Sequence, residues 1–171
     1  MYLMDLRIAP SFLAAGVAAF MTMLAPAAYA QAQRTAAVEG IGGYAGFLDE
    51  SAIHHSVFGG AARVYVLPRV AVGPELVYMK GPGDDRDLVL TGNVTFDFLS
   101  GPRVTPFLVA GGGIFRHSDR FGAQTFSSTE GSFTGGGGVR IPIGDRLYVA
   151  PEFRIGWEPH YRVSVAVGWN F

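Results

Sequence analysis

The sequence predicts an all-β fold, a closed antiparallel barrel of eight transmembrane strands, on three observations. The last eleven residues alternate strictly: Tyr161, Val163, Val165, Val167, Trp169 and Phe171 are bulky and apolar, whereas Arg162, Ser164, Ala166, Gly168 and Asn170 are small or polar. A period of two sends these sets to opposite faces of a strand, and an apolar stripe with aromatics at both ends suits a strand crossing a bilayer. The front of the chain reads as an export signal. Finally, 24 glycines recur between β-formers, as at Gly40, Gly42, Gly43 and Gly46, Gly111–Gly113 and Gly135–Gly138. Inside alternating segments they point to bends and close packing in a curved sheet rather than to linkers.

The leader comes first in the chain. Phe12 to Leu24 is apolar and is followed by Pro26 and by Ala28-Tyr29-Ala30. That is an h-region of roughly 7–15 residues with an A-x-A-like cleavage site. It is shorter than the ~20 residues a spanning helix needs, and no stop-transfer charges follow. Arg7 is its only early cation, offset by Asp5. The expectation is a cleaved signal over 1–30, a short mature lead over 31–36 and a single barrel domain over 37–171. No later window is apolar enough for a membrane helix.

Eight segments of about the 9–11 residues a tilted strand needs can then be marked. They are Val38–Phe47, Ser56–Leu67, Val70–Met79, Leu88–Leu99, Thr105–Phe115, Phe133–Ile143, Leu147–Trp157 and Tyr161–Phe171. Leu67-Pro68-Arg69, Ser100-Gly101-Pro102-Arg103 and Gly144-Asp145-Arg146 read as tight turns. The other connections, about 48–55, 80–87, 116–132 and 158–160, are mostly longer and polar. Short turns at one end and longer loops at the other are the asymmetry of an outer-membrane barrel.

The fourth segment alternates most cleanly, with Leu88, Leu90, Val94, Phe96 and Phe98 opposing Thr91, Asn93, Thr95 and Asp97. In the seventh, Leu147, Val149, Phe153, Ile155 and Trp157 oppose Tyr148, Glu152 and Arg154. In the third, Val70, Val72, Leu76 and Tyr78 oppose Glu75, and in the second Phe58, Val64 and Val66 oppose Arg63 and Tyr65. The first, fifth and sixth are too glycine-rich for a face assignment. On this register Arg63, Glu75, Asp97, Arg140, Glu152, Arg154 and Arg162 all leave the lipid face. An Arg or Lys facing mid-bilayer would cost about 2–4 kcal/mol, and charges packed inside a small barrel must pair. The seven therefore read as a salt-bridge network that plugs the lumen. The catalytic alternative, a carboxylate pair of Glu75 and Glu152, is the weaker reading because charge clusters are often structural.

An internal repeat supports eight strands. Residues Arg63 to Leu76 align without gaps onto Arg140 to Phe153, 77 residues on, and Gly59-Gly60 onto Gly136-Gly137 at the same offset. A repeated four-strand half closes naturally at eight. Pro74 and Pro151 fall at equivalent places inside strands, where bulges are expected.

With its leader, its glycine-punctuated strands and its Val165-Ala-Val-Gly-Trp-Asn-Phe171 ending, the chain resembles the small outer-membrane β-barrel family, the OmpA-, OmpX- and OmpW-like proteins. Thr105 to Gly113 and Val149 to Arg154 resemble that family's strands, and the likeness spans the whole mature chain. The resemblance implies that Val163, Val165, Val167, Trp169 and Phe171 are read by the barrel-assembly machinery. A monomer in the outer-membrane bilayer is expected. The ending at Phe171 leads to the expectation of no peptidoglycan-binding domain.

The formal net charge of −1 supplies no basic field for nucleic acid, and without cysteine there is no disulfide or thiol chemistry. Neither His54-His55-Ser56 nor His117-Ser118 carries a catalytic spacing. All four histidines (His54, His55, His117, His160) fall in predicted loops beside Asp49, Glu50, Asp84, Asp85, Asp87 and Asp119. Loops at one barrel end converge, so a metal site is conceivable, but no ligand spacing is specific and none is assigned. The loop over 116–132, with Phe121 and Phe126, is the best candidate for a partner contact. The sequence thus leads to a structural or surface-interaction barrel without cofactor. The alternatives are a narrow pore or transporter of small apolar molecules and an outer-membrane lipid-modifying enzyme. A soluble lipocalin-like barrel would need an apolar lumen, opposite to the inward charges found here.

Overall fold

In a computed structural model, the described residues are 35–47, 54–98, 104–121, 124–157 and 159–171. The expected signal over 1–30, most of the lead over 31–36, Asp49, Glu50 and the turn Ser100–Arg103 lie outside them. Eight strands are present: β1 (Ala36–Phe47), β2 (His54–Leu67), β3 (Val70–Lys80), β4 (Arg86–Asp97), β5 (Thr105–Phe121), β6 (Gln124–Pro142), β7 (Leu147–Gly156) and β8 (His160–Asn170). Each pairs antiparallel with the next, and β8 returns to β1 from Ala37↔Asn170 to Phe47↔His160, closing the barrel. Within the closed wall every strand is paired on both sides, which a backbone surrounded by hydrocarbon requires.

The barrel is apolar outside and charged inside. Val165 is 45% exposed and Phe153 47%, whereas Arg154 is 1% and Glu75 3% exposed. Val38, Val64, Leu76, Leu90, Val94, Leu108 and Ile114 complete an outward belt drawn from five different strands. Water would not tolerate so continuous an apolar surface, and a bilayer requires it. No helix among the described residues is long and apolar enough to cross a membrane.

Three sequence expectations are corrected. Residues 116–121 and 124–132 are not a loop: β5 and β6 continue as a paired ladder out to Phe121↔Gln124. Pairing of β4 with β5 ends at Arg86↔Ser118, and that of β6 with β7 ends at Thr134↔Gly156, so the β5–β6 hairpin projects past its neighbours. Outside a bilayer neither face needs to be apolar, so the alternation that marks a spanning strand disappears while the ladder persists. The histidines are not in loops either. His54 and His55 begin β2, His117 lies on β5 and His160 begins β8. All four cluster at one end, here termed the mouth, opposite the tight turns.

The third correction concerns the prolines. Register is kept across Pro74 (Ala61↔Glu75, then Val64↔Val72) and across Pro151 (Gly138↔Glu152, then Ile141↔Val149). Each proline, lacking an N–H, sits in a gap of the ladder rather than at a bulge; the one shift in the β2–β3 pair falls between Tyr65 and Leu67. The two gaps are 77 residues apart, like the sequence repeat. Gly59 and Gly136 extend the correspondence, because a Cβ at either would strike the carbonyl oxygen of Leu76 or Phe153, again equivalent positions.

Candidate functional site

Alternation places the charged side chains inside, and the barrel's closure brings together residues far apart in sequence. At mid-lumen Glu75 from β3 and Glu152 from β7 meet Arg154 from β7 and Arg162 from β8. Arg154 donates through Nη2 to Glu75 (2.7 Å) and through Nε to Glu152 (2.6 Å). Arg162 donates through Nη2 to Glu75 (2.9 Å) and to Glu152 (3.0 Å). Each carboxylate thus faces both cations, and each cation faces both carboxylates. Arg154 also donates to the Asn93 side-chain oxygen at 3.1 Å. A pair of carboxylates so fully engaged by guanidinium groups is not a free acid and base.

Toward the tight turns lie two further pairs. Arg63 donates through Nε and Nη2 to Glu39 on β1 at 2.8 and 2.7 Å, and through Nη1 to the Thr95 hydroxyl. The Tyr148 hydroxyl donates to the other Glu39 oxygen at 2.6 Å. Arg140 pairs with Asp97, which also accepts from the Tyr65 hydroxyl at 3.3 Å. The Arg140 cation rests 4.4 Å from the centre of the Phe107 ring, a cation–π contact that complements its single carboxylate partner.

All seven sequence-assigned residues are therefore buried and ion-paired inside the barrel. Sequence reasoning missed the eighth, Glu39, because β1 is too glycine-rich to assign a face by alternation. A signal was present nonetheless: four arginines had been set against three carboxylates, and an unbalanced buried charge is costly. Tyr148 was read as inward but not as a network member.

Apolar layers border the charges. Val57, Val77, Met79, Val89 and Phe115 pack with Ala45 and Phe47 between the mid-lumen quartet and the mouth. Ile41, Phe107, Val109, Tyr148, Ala150 and Ala166 form a second cluster with Ala37 on the turn side. These clusters and the charged groups share the interior, which in an eight-stranded barrel is about as wide as its side chains.

The serine-histidine neighbours do not form dyads. His55 is buried in the lumen while Ser56 is exposed, because successive residues of a strand face opposite ways. The same alternation separates His117 from Ser118. The residues expected to be the assembly signal, Val163, Val165, Val167, Trp169 and Phe171, form one exposed stripe down β8 and the terminus.

Fold and interior together define the class: an eight-stranded transmembrane β-barrel with ion-paired charges on its inner face. No protein-family model and no curated protein matches the chain by sequence. Its fold is similar to that of the crystal structure of Neisserial surface protein A (TM-score 0.68, 13% identical, covering 80% of this chain and 96% of that one). It is also similar to the N-terminal β-barrel domain of Pseudomonas aeruginosa OprF (TM-score 0.65, 12% identical, 82% and 100%). A third structure of this fold is Ail, the attachment invasion locus protein of Yersinia pestis (TM-score 0.58, 11% identical, 80% and 97%).

Proposed function

We propose that this chain is an outer-membrane barrel, exported by the signal over 1–30 and closed by its lumen network, that displays the β5–β6 hairpin at the cell surface. The projection of that hairpin beyond β4 and β7 is the observation that carries the reading. Its outer part is polar, with exposed Ser127, Ser128, Thr129 and Glu130, and it presents Phe126 at 57% exposure. A polar strand pair with one prominent aromatic suits reversible contact with a partner. The barrel below serves as an anchor. Its two mid-lumen carboxylates are held by two arginines between apolar layers, an arrangement that suits a plug better than a conduit.

In this reading the β8 stripe ending at Phe171 is the assembly signal. Deleting Phe171 lowers the amount of barrel reaching the outer membrane, measured in membrane fractions; unchanged levels would remove that role. Orientation is tested through cysteine, which the chain lacks. Ser128→Cys should react with a membrane-impermeant maleimide on intact cells, and Asp145→Cys only after the outer membrane is broken. The reverse pattern would sink the display reading. Planar-bilayer recording of refolded protein should show no stable single-channel steps, and regular steps would replace the plug with a pore.

A further inference from the structure

We propose that the mouth of the barrel holds a site for one divalent transition-metal ion, zinc by its ligand chemistry, built from His55, Asp85, Asp87 and His117. The four come from separate elements. Asp87 on β4 and His117 on β5 are cross-strand partners, and His117 Nδ1 lies 2.6 Å from Asp87 Oδ1. His55 reaches in from β2, placing Nε2 2.8 Å from Asp85 Oδ2 and 3.2 Å from Asp87 Oδ2. Asp85, from the β3–β4 turn, has its Oδ1 3.7 Å from His117 Nδ1.

The backbone is shaped around these groups. Gly81 follows β3 beneath them, and a Cβ there would lie 2.5 Å from His55 Nε2 and strike the Asp85 carboxylate. The Gly81 N–H donates to the Asp85 carbonyl at 3.1 Å, and Gly83, at φ 64°, turns the chain between them in a conformation glycine adopts without strain. Phe47 meets the His55 ring edge-on at 4.9 Å, above the apolar layer that floors the site. His55 is 2% exposed and Asp87 1%, while the His117 side chain is 43% exposed, so the cluster is walled below and open past His117.

The charge balance leaves room for a cation. Among the described residues Asp85 and Asp87 have histidine partners but no arginine or lysine partner, unlike each lumenal carboxylate. The buried Asp85 Oδ1 and His55 Nδ1 have no hydrogen-bond partner. Two carboxylates held side by side repel each other unless a positive charge lies close by. A divalent ion supplies it, and the imidazoles coordinate in their neutral form. Bonds of about 2.1 Å in a tetrahedral site set donors about 3.4 Å apart; His55, Asp85 and Asp87 each offer a donor atom within 4.8 Å of the other two, and His117 Nδ1 stands at the rim of this trio, 2.6 Å from Asp87 and 3.7 Å from Asp85. Mixed nitrogen and oxygen donors favour zinc and its neighbours over magnesium or calcium, which take oxygen-rich shells of six or more.

The test is titration of refolded, chelator-treated barrel with Co²⁺, followed by its visible spectrum, and with Zn²⁺ by calorimetry. One equivalent of Co²⁺ should bind with the intense bands of a tetrahedral site, and Zn²⁺ should displace it. His117→Ala and Asp85→Asn alter partly exposed groups, and heat-dependent gel mobility verifies that each remains folded. Each should weaken binding at least ~10-fold, the lower bound known even for residues that only support a ligand. His54→Ala, on the opposite face of β2, should leave affinity unchanged. Absence of saturable uptake, or an affinity unaltered in either ligand variant, would overturn the proposal.

Discussion

The quartet of Glu75, Glu152, Arg154 and Arg162 and the mouth cluster of His55, Asp85, Asp87 and His117 each set two carboxylates against two nitrogen-bearing side chains. They differ in what those nitrogens can do. A guanidinium is a permanent cation with donors and no lone pair, so it completes a carboxylate by itself. An imidazole carries its charge only when protonated and otherwise offers a lone pair. The quartet is therefore electrically finished, with four Arg–carboxylate contacts of 2.6–3.0 Å. The mouth has the same number of carboxylates but no permanent cation among their described partners. Similar side-chain counts give a fully ion-paired cluster in one place and, in the other, the cluster proposed above to take a metal ion.

Breaking the quartet should have the largest effect. Glu75→Ala leaves Arg154 and Arg162 sharing a single carboxylate and should cost about 3–5 kcal/mol, read by urea unfolding of the refolded barrel. Glu75→Leu combined with Arg154→Met removes a charge of each sign and should recover most of that loss, since apolar replacement of a buried pair is often neutral. A double variant no better than the single would show that the charges do more than balance. A cation on the outer face comes next: Val165→Arg should cost about 2–4 kcal/mol in lipid, whereas arginines at 1–5% exposure inside are tolerated.

If the mouth binds metal as proposed, it should respond to metal and the quartet should not. Zinc at a hundredfold its dissociation constant should stabilise the wild type by about 2.7 kcal/mol, and this increment should persist in Glu75→Ala and shrink in Asp85→Asn. Equal increments in both variants would erase the distinction between the regions. The smallest effect belongs to His117→Ala without metal. With a side chain 43% exposed, its ion pairing should be worth less than ~1 kcal/mol, detected as a small shift of the urea midpoint.

Much of the fold was legible because a spanning strand must alternate. In β4, β7 and β8 each inward and outward residue could be assigned from the neighbours on its own segment. Legibility failed where that constraint lapsed. Glycines in β1 hid Glu39, since a residue without a side chain marks no face. Toward the tip of the β5–β6 pair, residues 117–121 and 124–132 kept their ladder but lost their apolar face, so polar strand and polar loop looked alike. His55 and Asp85 gave no local sign of contact because they lie on different elements, 30 residues apart.

Residue order alone determined which side of the wall each clearly alternating side chain would face, because a period of two is a property of neighbours. It also required that inward charges find partners, because hydrocarbon lies outside and other side chains fill the inside. The choice of partners belonged to the tertiary structure. Closure and register across the barrel set Arg154 against Glu75, 79 residues away, and drew Arg63 to Glu39 rather than to another carboxylate. The same closure left Asp85 and Asp87 beside imidazoles at the mouth, where only three-dimensional proximity makes four unrelated residues a site.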